Sequence, residues 1–240
     1  MVHTQKDLGF LGSLIPPVVI TPTSFTGLRR WYDADYYTGQ GKTDGNALAN
    51  TDTWFDNSTF AEVATPRNTA KPVFKTSIFG SKPAVLFNTS AVMKHTLVTW
   101  TGDFTAILVS QFDSDSILLG RESQNYQLRQ GFPTSTKNSF FPNGTPTVSS
   151  DTMGLGAGNK AAQAFIRTSG TMRFWENATN YNSNGGSNTN TYTTDILGLD
   201  DGGPLHNVYV GAIYFYDVAL SDADYGSLYN NYIKPRFGTA

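Results

Sequence analysis

Gly211-Ala212-Ile213-Tyr214-Phe215-Tyr216-Asp217-Val218-Ala219-Leu220-Ser221-Asp222-Ala223-Asp224 carries two structural signals back to back. The run from Asn207 to Tyr216 is rich in aromatic and β-branched residues, as a strand should be. After Leu220 the period changes. The Ser221 hydroxyl can cap a helix, and Asp222 and Asp224 favour its positive N-terminal end. Leu220 and Tyr225 hold the two positions of a hydrophobic staple. Tyr225, Leu228, Tyr229 and Tyr232 then follow helical spacing and form one apolar face. Pro235 is expected to stop this helix, which should pack across an end or edge of the rest of the fold.

Working outward, the remaining apolar runs are short and β-like: Pro72-Val73-Phe74, Ala84 to Phe87, Phe104 to Phe112 and Ser116 to Gly120. Gly, Pro, Asn, Asp or Ser bounds each of them. Gln163 to Thr168 and Thr171 to Asn177 flank Ser169-Gly170, which suits a tight hairpin. The stretch 177–194 is too polar to bury itself and reads as an exposed loop or hairpin tip. Many short strands with one helix indicate an all-β, two-sheet antiparallel jelly-roll sandwich. The chain divides into an extended N-terminal arm (1–23) and a sandwich (24–240).

Composition narrows the function classes. Charged residues make up 15% of the chain, while Thr, Asn and Ser supply roughly 28%, so the surface is polar but weakly charged. A net charge of −2 gives no positive field for nucleic acid. The adjacent pair Arg29-Arg30 reads as a strand-edge or solvated pair. The absence of cysteine excludes disulfides and thiolate metal sites. No apolar run reaches the length of a membrane span, and Pro16-Pro17 breaks the N-terminal apolar stretch, so that stretch is not expected to be a secretory signal.

Several segments resemble, in order, the concanavalin A-like, laminin-G-like domains. Gly27 to Ala34 (GLRRWYDA) resembles their opening strand, and Trp54 to Ser58 (WFDNS) the segment that follows. Lys82 to Phe87 (KPAVLF) resembles a central strand, and Gly211 to Asp224 the closing strand with its entry into a short helix. The resemblance covers about 27–238. It implies the sandwich fold, with Trp31 and Trp54 as framework residues. It also implies a rim site for one structural calcium, for which Asp195, Asp200 and Asp201, or Asp33 and Asp35, are candidates. No other cofactor is expected.

Catalytic chemistry finds little support. Glycosidases on such folds use two neighbouring carboxylates, whereas Glu62, Glu122 and Glu176 are far apart in sequence. Asp113 and Asp115 alternate as strand neighbours but sit in a loop-like DSDS context. His3, His95 and His206 lack metal-ligand spacing, and Gly154 to Gly158 lacks the Lys-Ser/Thr of a phosphate loop. Trp100 and Trp175 fall nearer loops. Trp175 with Tyr181 could make a glycan-stacking platform, against a plain hairpin-packing role.

The arm carries Leu8, Phe10, Leu11, Leu14, Ile15, Val18, Val19 and Ile20. Its apolar gain falls short of its ordering entropy unless another surface receives it, so these residues are read as partner-docking. A Cys-free, Thr/Asn-rich sandwich with an apolar arm resembles bacteriophage virion components such as decoration, head-fibre and tail-attachment proteins. The expected partners are then other virion proteins, in a homo-oligomer or a capsid or tail assembly. The alternative is a carbohydrate-binding lectin module of a cell-surface or secreted protein, with a cell-surface glycan as partner. A glycoside hydrolase is the remote third reading.

Overall fold

The computed structural model describes residues 19–239 except 68, 89–90, 113–115, 122–123, 131–136, 142–147, 151, 153–157, 182, 185–188 and 199–206. Its strands are β1 (Leu28–Asp33), β2 (Trp54–Phe55), β3 (Val63–Pro66), β4 (Val73–Phe79), β5 (Lys82–Phe87) and β6 (Met93–Trp100). Then come β7 (Phe104–Phe112), β8 (Ser116–Arg121), β9 (Gln124–Gln130), β10 (Asn138–Phe141), β11 (Val148–Ser150) and β12 (Lys160–Thr168). The last are β13 (Thr171–Glu176), β14 (Thr179–Tyr181), β15 (Ser183–Asn184), β16 (Tyr192–Leu197) and β17 (Val208–Tyr216). They form an eight-stranded sheet, β14-β13-β12-β7-β17-β5-β4 with β1 also on β17, and a nine-stranded sheet, β15-β11-β10-β9-β8-β16-β6-β3-β2. The pairings between described strands are antiparallel. The all-β antiparallel sandwich is therefore the fold.

One core fills the space between the sheets, where Phe104, Phe140, Phe165, Tyr192 and Phe215 meet. Trp100 belongs to it: its ring stacks on Phe104 (5.1 Å) and Tyr192 (5.7 Å), and it is 3% exposed. Loop proximity in sequence did not make it a surface residue. The Ser169-Gly170 turn has φ positive at both residues (48° and 83°), as a two-residue hairpin requires, and joins Thr168 to Thr171.

The C-terminal helix begins as the sequence indicates. Ser221 Oγ accepts the Asp224 backbone N–H at 3.1 Å, and Leu220 and Tyr225 are both buried in the same apolar cluster. Two expectations are corrected. First, the helix packs on the outer face of the eight-stranded sheet rather than at an end or edge. Ala162, Ala164 and Ala212 make that face low enough for Tyr225, Leu228, Tyr229, Ile233 and Phe237 to settle on it. At Gly211 a Cβ would stand 3.0 Å from Phe79 and 3.2 Å from Phe237, so the close approach needs glycine there. Second, Pro235 does not stop the helix. After an α-helical stretch, Asp222–Leu228, comes a π-helical turn, Tyr229–Ile233, and then a second α-helical stretch, Lys234–Phe237, which contains Pro235. A π turn spans five residues per hydrogen bond and so relaxes the contact with the i−4 carbonyl that a proline ring cannot tolerate in an α-helix. Gly238 ends the helix in the left-handed conformation (φ 61°), its N–H bonding to Lys234 O at 2.9 Å.

The arm's described end also differs from its expected boundary. Val19 is 76% exposed and Ile20 half-buried, but Pro22 is buried and its carbonyl accepts the Tyr216 hydroxyl at 3.1 Å. Phe25 packs against the helix-side cluster. Pro22 thus already packs with the sandwich, two residues before Ser24. Leu8, Phe10, Leu11, Leu14, Ile15 and Val18 lie outside the described residues. Among the described residues, no helix is long and apolar enough to cross a membrane.

Candidate binding site

The short helix Asp35–Gly39, between β1 and the 40–53 connection, splits two adjacent tyrosines. Tyr37 turns inward and packs its ring 6.1 Å from Trp54 and 6.0 Å from Phe74. Tyr36 is half-buried: its ring packs edge-on against Tyr37 at 5.5 Å and against the margin of the core, leaving part of it at the surface. Strand β2 makes the same division by its period of two: Trp54 is fully buried and donates its indole N–H to Asp33 O at 2.9 Å, while Phe55 is 36% exposed. The two outward rings meet. Tyr36 and Phe55 stack with centroids 6.0 Å apart and planes 23° apart.

Beside this pair lies a depression of about 160 Å³ lined by Tyr36, Tyr37, Gln40, Lys42, Thr51, Asp52 and Thr53. Its wall is held by the backbone: Asp52 Oδ2 accepts the Ala49 N–H at 2.8 Å, and the Tyr37 hydroxyl donates to Asp52 O at 3.3 Å. Lys42 Nζ stands 2.6 Å from Asp52 Oδ1 and lowers the pKa of that carboxyl. An apolar stacked pair next to hydroxyl, amide and ion-paired groups can hold an amphipathic, hydroxyl-rich ligand. A second depression, about 310 Å³, is lined by Arg29, Thr99, Trp100, Thr101, Gly102, Asp103 and Asp217. It is larger but offers no aromatic face, because Trp100 is buried and its N–H is committed to Asp217 Oδ1 at 2.9 Å.

The sites expected from sequence are arranged otherwise. Trp175 is 8% exposed and packs 5.0 Å from the Tyr225 ring, under the helix. Its cross-strand partner is Asn180, whereas Tyr181 pairs with Phe174, which faces the inter-sheet core. Trp175 and Tyr181 therefore lie on opposite faces of one sheet and cannot form a joint platform. Trp31 packs between sheet and helix, 6.4 Å from Tyr214 and 6.1 Å from Tyr232.

Of the calcium candidates, Asp33 and Asp35 already face cations of the chain. Arg236 Nη2 reaches Asp33 at 2.9 Å and Asp35 at 2.5 Å, and Lys82 reaches Asp35 at 2.8 Å. Asp195 sits 3.8 Å from Lys94, and Asp200 and Asp201 lie outside the described residues. Among the described residues, no three His, Cys, Asp or Glu side chains gather as a metal site. Asp113, Asp115, Glu122, His3, His206 and residues 154–157 are likewise outside them.

The pair read as strand-edge or solvated lies on β1, whose strand partner is β17 alone, and Arg29 is half-buried, but Arg30 is not solvated. It is fully buried, 2.9 Å from Glu62 Oε1 and 3.9 Å from Asp56 Oδ2. Tyr32 and His95 join this interior polar group, with ring centroids 6.2 Å apart. His95 Nδ1 donates to Thr96 O at 2.8 Å, and burial pushes its pKa down to about 4. The unfolded chain takes up this proton near pH 6.5 and the folded chain only near 4, so stability is lost as pH falls from 6.5 to 4. The loss attributable to His95 should reach about 3 kcal/mol. Denaturant melts of wild type and His95→Gln at several pH values should differ in slope within that window; parallel profiles would contradict the assignment.

No protein-family model matches the chain, and no characterised protein matches it by sequence. Its backbone is similar to solved structures. A mutant of Trypanosoma rangeli sialidase displaying trans-sialidase activity superposes with TM-score 0.56 at 12% identity, over 89% of this chain and 34% of that one. Botulinum neurotoxin type C, which depends on two ganglioside molecules to enter cells, gives TM-score 0.52 at 12% identity, over 78% and 51%. The binding domain of botulinum neurotoxin serotype D gives 0.52 at 8%, over 86% and 52%. The likeness is one of fold alone. The chain spans about a third of the sialidase and half of the toxin chains.

Proposed function

We propose that this chain is a non-catalytic, carbohydrate-binding sandwich displayed on a larger assembly, and that the Tyr36–Phe55 face is its binding surface. The carrying observation is the stacked pair, with Phe55 exposed and Tyr36 half-buried, beside a depression rich in hydroxyl and amide groups. The C–H face of a sugar ring packs on aromatic rings while its hydroxyls exchange hydrogen bonds at the edge. The ganglioside dependence of the type C neurotoxin, on a similar fold, supports the reading. Turnover is not part of it: Glu62 is held by Arg30, and Glu176 is 3% exposed at the end of a strand in the other sheet. Phe55→Ala should weaken glycan binding by about tenfold or more with the melting midpoint nearly kept, and Tyr36→Ala should weaken it similarly while also lowering the midpoint, because its ring packs on the core. Binding at wild-type strength in both variants would refute the surface.

The assembly we favour is a virion, with the sandwich serving as a capsid decoration, head-fibre or tail-attachment protein. Support comes from the weakly charged Thr/Asn-rich composition and from the apolar arm, whose described end leaves Val19 open to solvent. Because Pro22 and Phe25 belong to the sandwich, the test deletion is residues 1–20. The shortened chain should still melt cooperatively yet fail to enter particles; full incorporation would remove the docking role.

A further inference from the structure

We infer that the Tyr36–Phe55 face takes neutral sugars and discriminates against sialylated or uronic ones; this rests on the glycan reading above. Recognition of a sugar carboxylate requires a cation free to face it, usually as a charge-assisted hydrogen bond. Among the described residues lining the depression, Lys42 is the sole cation, and Asp52 holds it at 2.6 Å. Other cations of the surrounding segments also have partners: Lys82 and Arg236 pair with Asp35, Lys75 with Asp44 at 3.5 Å, and Lys71 donates to the Asn50 amide oxygen at 2.6 Å. A carboxylate arriving beside Asp52 would meet a like charge and would have to separate the Lys42 pair first. The groups left for a ligand are neutral: the Gln40 amide and the Thr51 and Thr53 hydroxyls, with the ring faces of Tyr36 and Phe55. These suit the C–H face and free hydroxyls of a neutral pyranose.

The experiment is calorimetric titration of the full chain with paired oligosaccharides that differ only by a terminal sialic acid, with a uronate-containing oligosaccharide as a third probe. The neutral member should bind, its affinity changing less than about twofold between about 0.05 and 0.5 M salt, as expected without ion-pair formation. The sialylated and uronate probes should bind at least about tenfold more weakly. Asp52→Asn keeps the acceptor for the Ala49 N–H but releases Lys42, so it should raise affinity for the acidic probes by about tenfold. Preference of the wild type for the acidic probes, or no gain in Asp52→Asn, would overturn the charge assignment while leaving glycan binding in place. Failure of every probe to bind would instead remove the glycan reading, and this inference with it.

Discussion

Replacing Asp56 by alanine is expected to lower the folding stability by about 3–5 kcal/mol, the range for breaking a buried ion pair from one side. Asp56 is fully buried and each of its oxygens is used. Oδ1 accepts the backbone N–H of Trp31 at 2.7 Å and of Ser58 at 2.8 Å, and Oδ2 accepts the Ser58 hydroxyl at 2.7 Å. The same carboxylate faces the buried Arg30 guanidinium at 3.9 Å. Alanine would strand two backbone donors, leave the Ser58 hydroxyl only Arg29 O at 3.2 Å, and leave Arg30 to Glu62 alone. Asp56→Asn keeps one acceptor oxygen and the side-chain volume and should cost clearly less. Chemical denaturation of the two variants decides it: an alanine variant within 1 kcal/mol of wild type, or equal to the asparagine variant, would contradict this account.

Leu228→Ala should cost about 2–5 kcal/mol through the cavity it opens between helix and sheet. Leu228 is fully buried among Tyr225, Tyr229 and the outer face of the eight-stranded sheet. Its neighbours cannot readily collapse into the space. The Tyr225 hydroxyl is tied to Asn177 O at 2.9 Å, and the helix end is tied to β1 and the following turn through Arg236 with Asp33 and Asp35. A thermal midpoint unchanged in the variant would show the helix to be an appendage rather than a third layer.

Signals local in sequence were readable, and signals that depend on which segments meet were not. The Ser221 cap, the Leu220–Tyr225 staple and the Ser169-Gly170 hairpin each need only a few neighbouring residues, and each stands in the structure as read. The burial of Arg30 depends on Asp56 and Glu62, at the two ends of the connection from β2 to β3, which lies alongside β1 through the Tyr32–Asp56 bridge. No local pattern reports that. Trp175 and Tyr181 look adjacent across a turn, but the Trp175–Asn180 register puts them on opposite faces. Of the proposed surface, Tyr36 lies in a segment read for its aspartates, and Phe55 beside a framework tryptophan. The usable clue was the doubled aromatic Trp54-Phe55, in which a strand turns one ring outward when it buries the other, beside the neighbouring pair Tyr36-Tyr37, of which only Tyr37 is fully buried.

Strand β17 is the last to be synthesised, yet it lies in the middle of its sheet, between β7 on one side and β5 and β1 on the other. While a ribosome is still delivering residues up to Tyr216, β1, β5 and β7 have emerged without the strand that joins them. The Tyr216 hydroxyl reaches Pro22 O across 194 positions and Arg236 reaches Asp33 across 203, so very large loops close only when β17 and the helix after it arrive. Such a topology folds slowly and late, with apolar strand faces open to chaperones or to other nascent copies in the interval. Premature termination before Val208 would release a chain whose eight-stranded sheet is left in three pieces, β1, the β4–β5 pair and the β7-β12-β13-β14 group, without the strand that joins them.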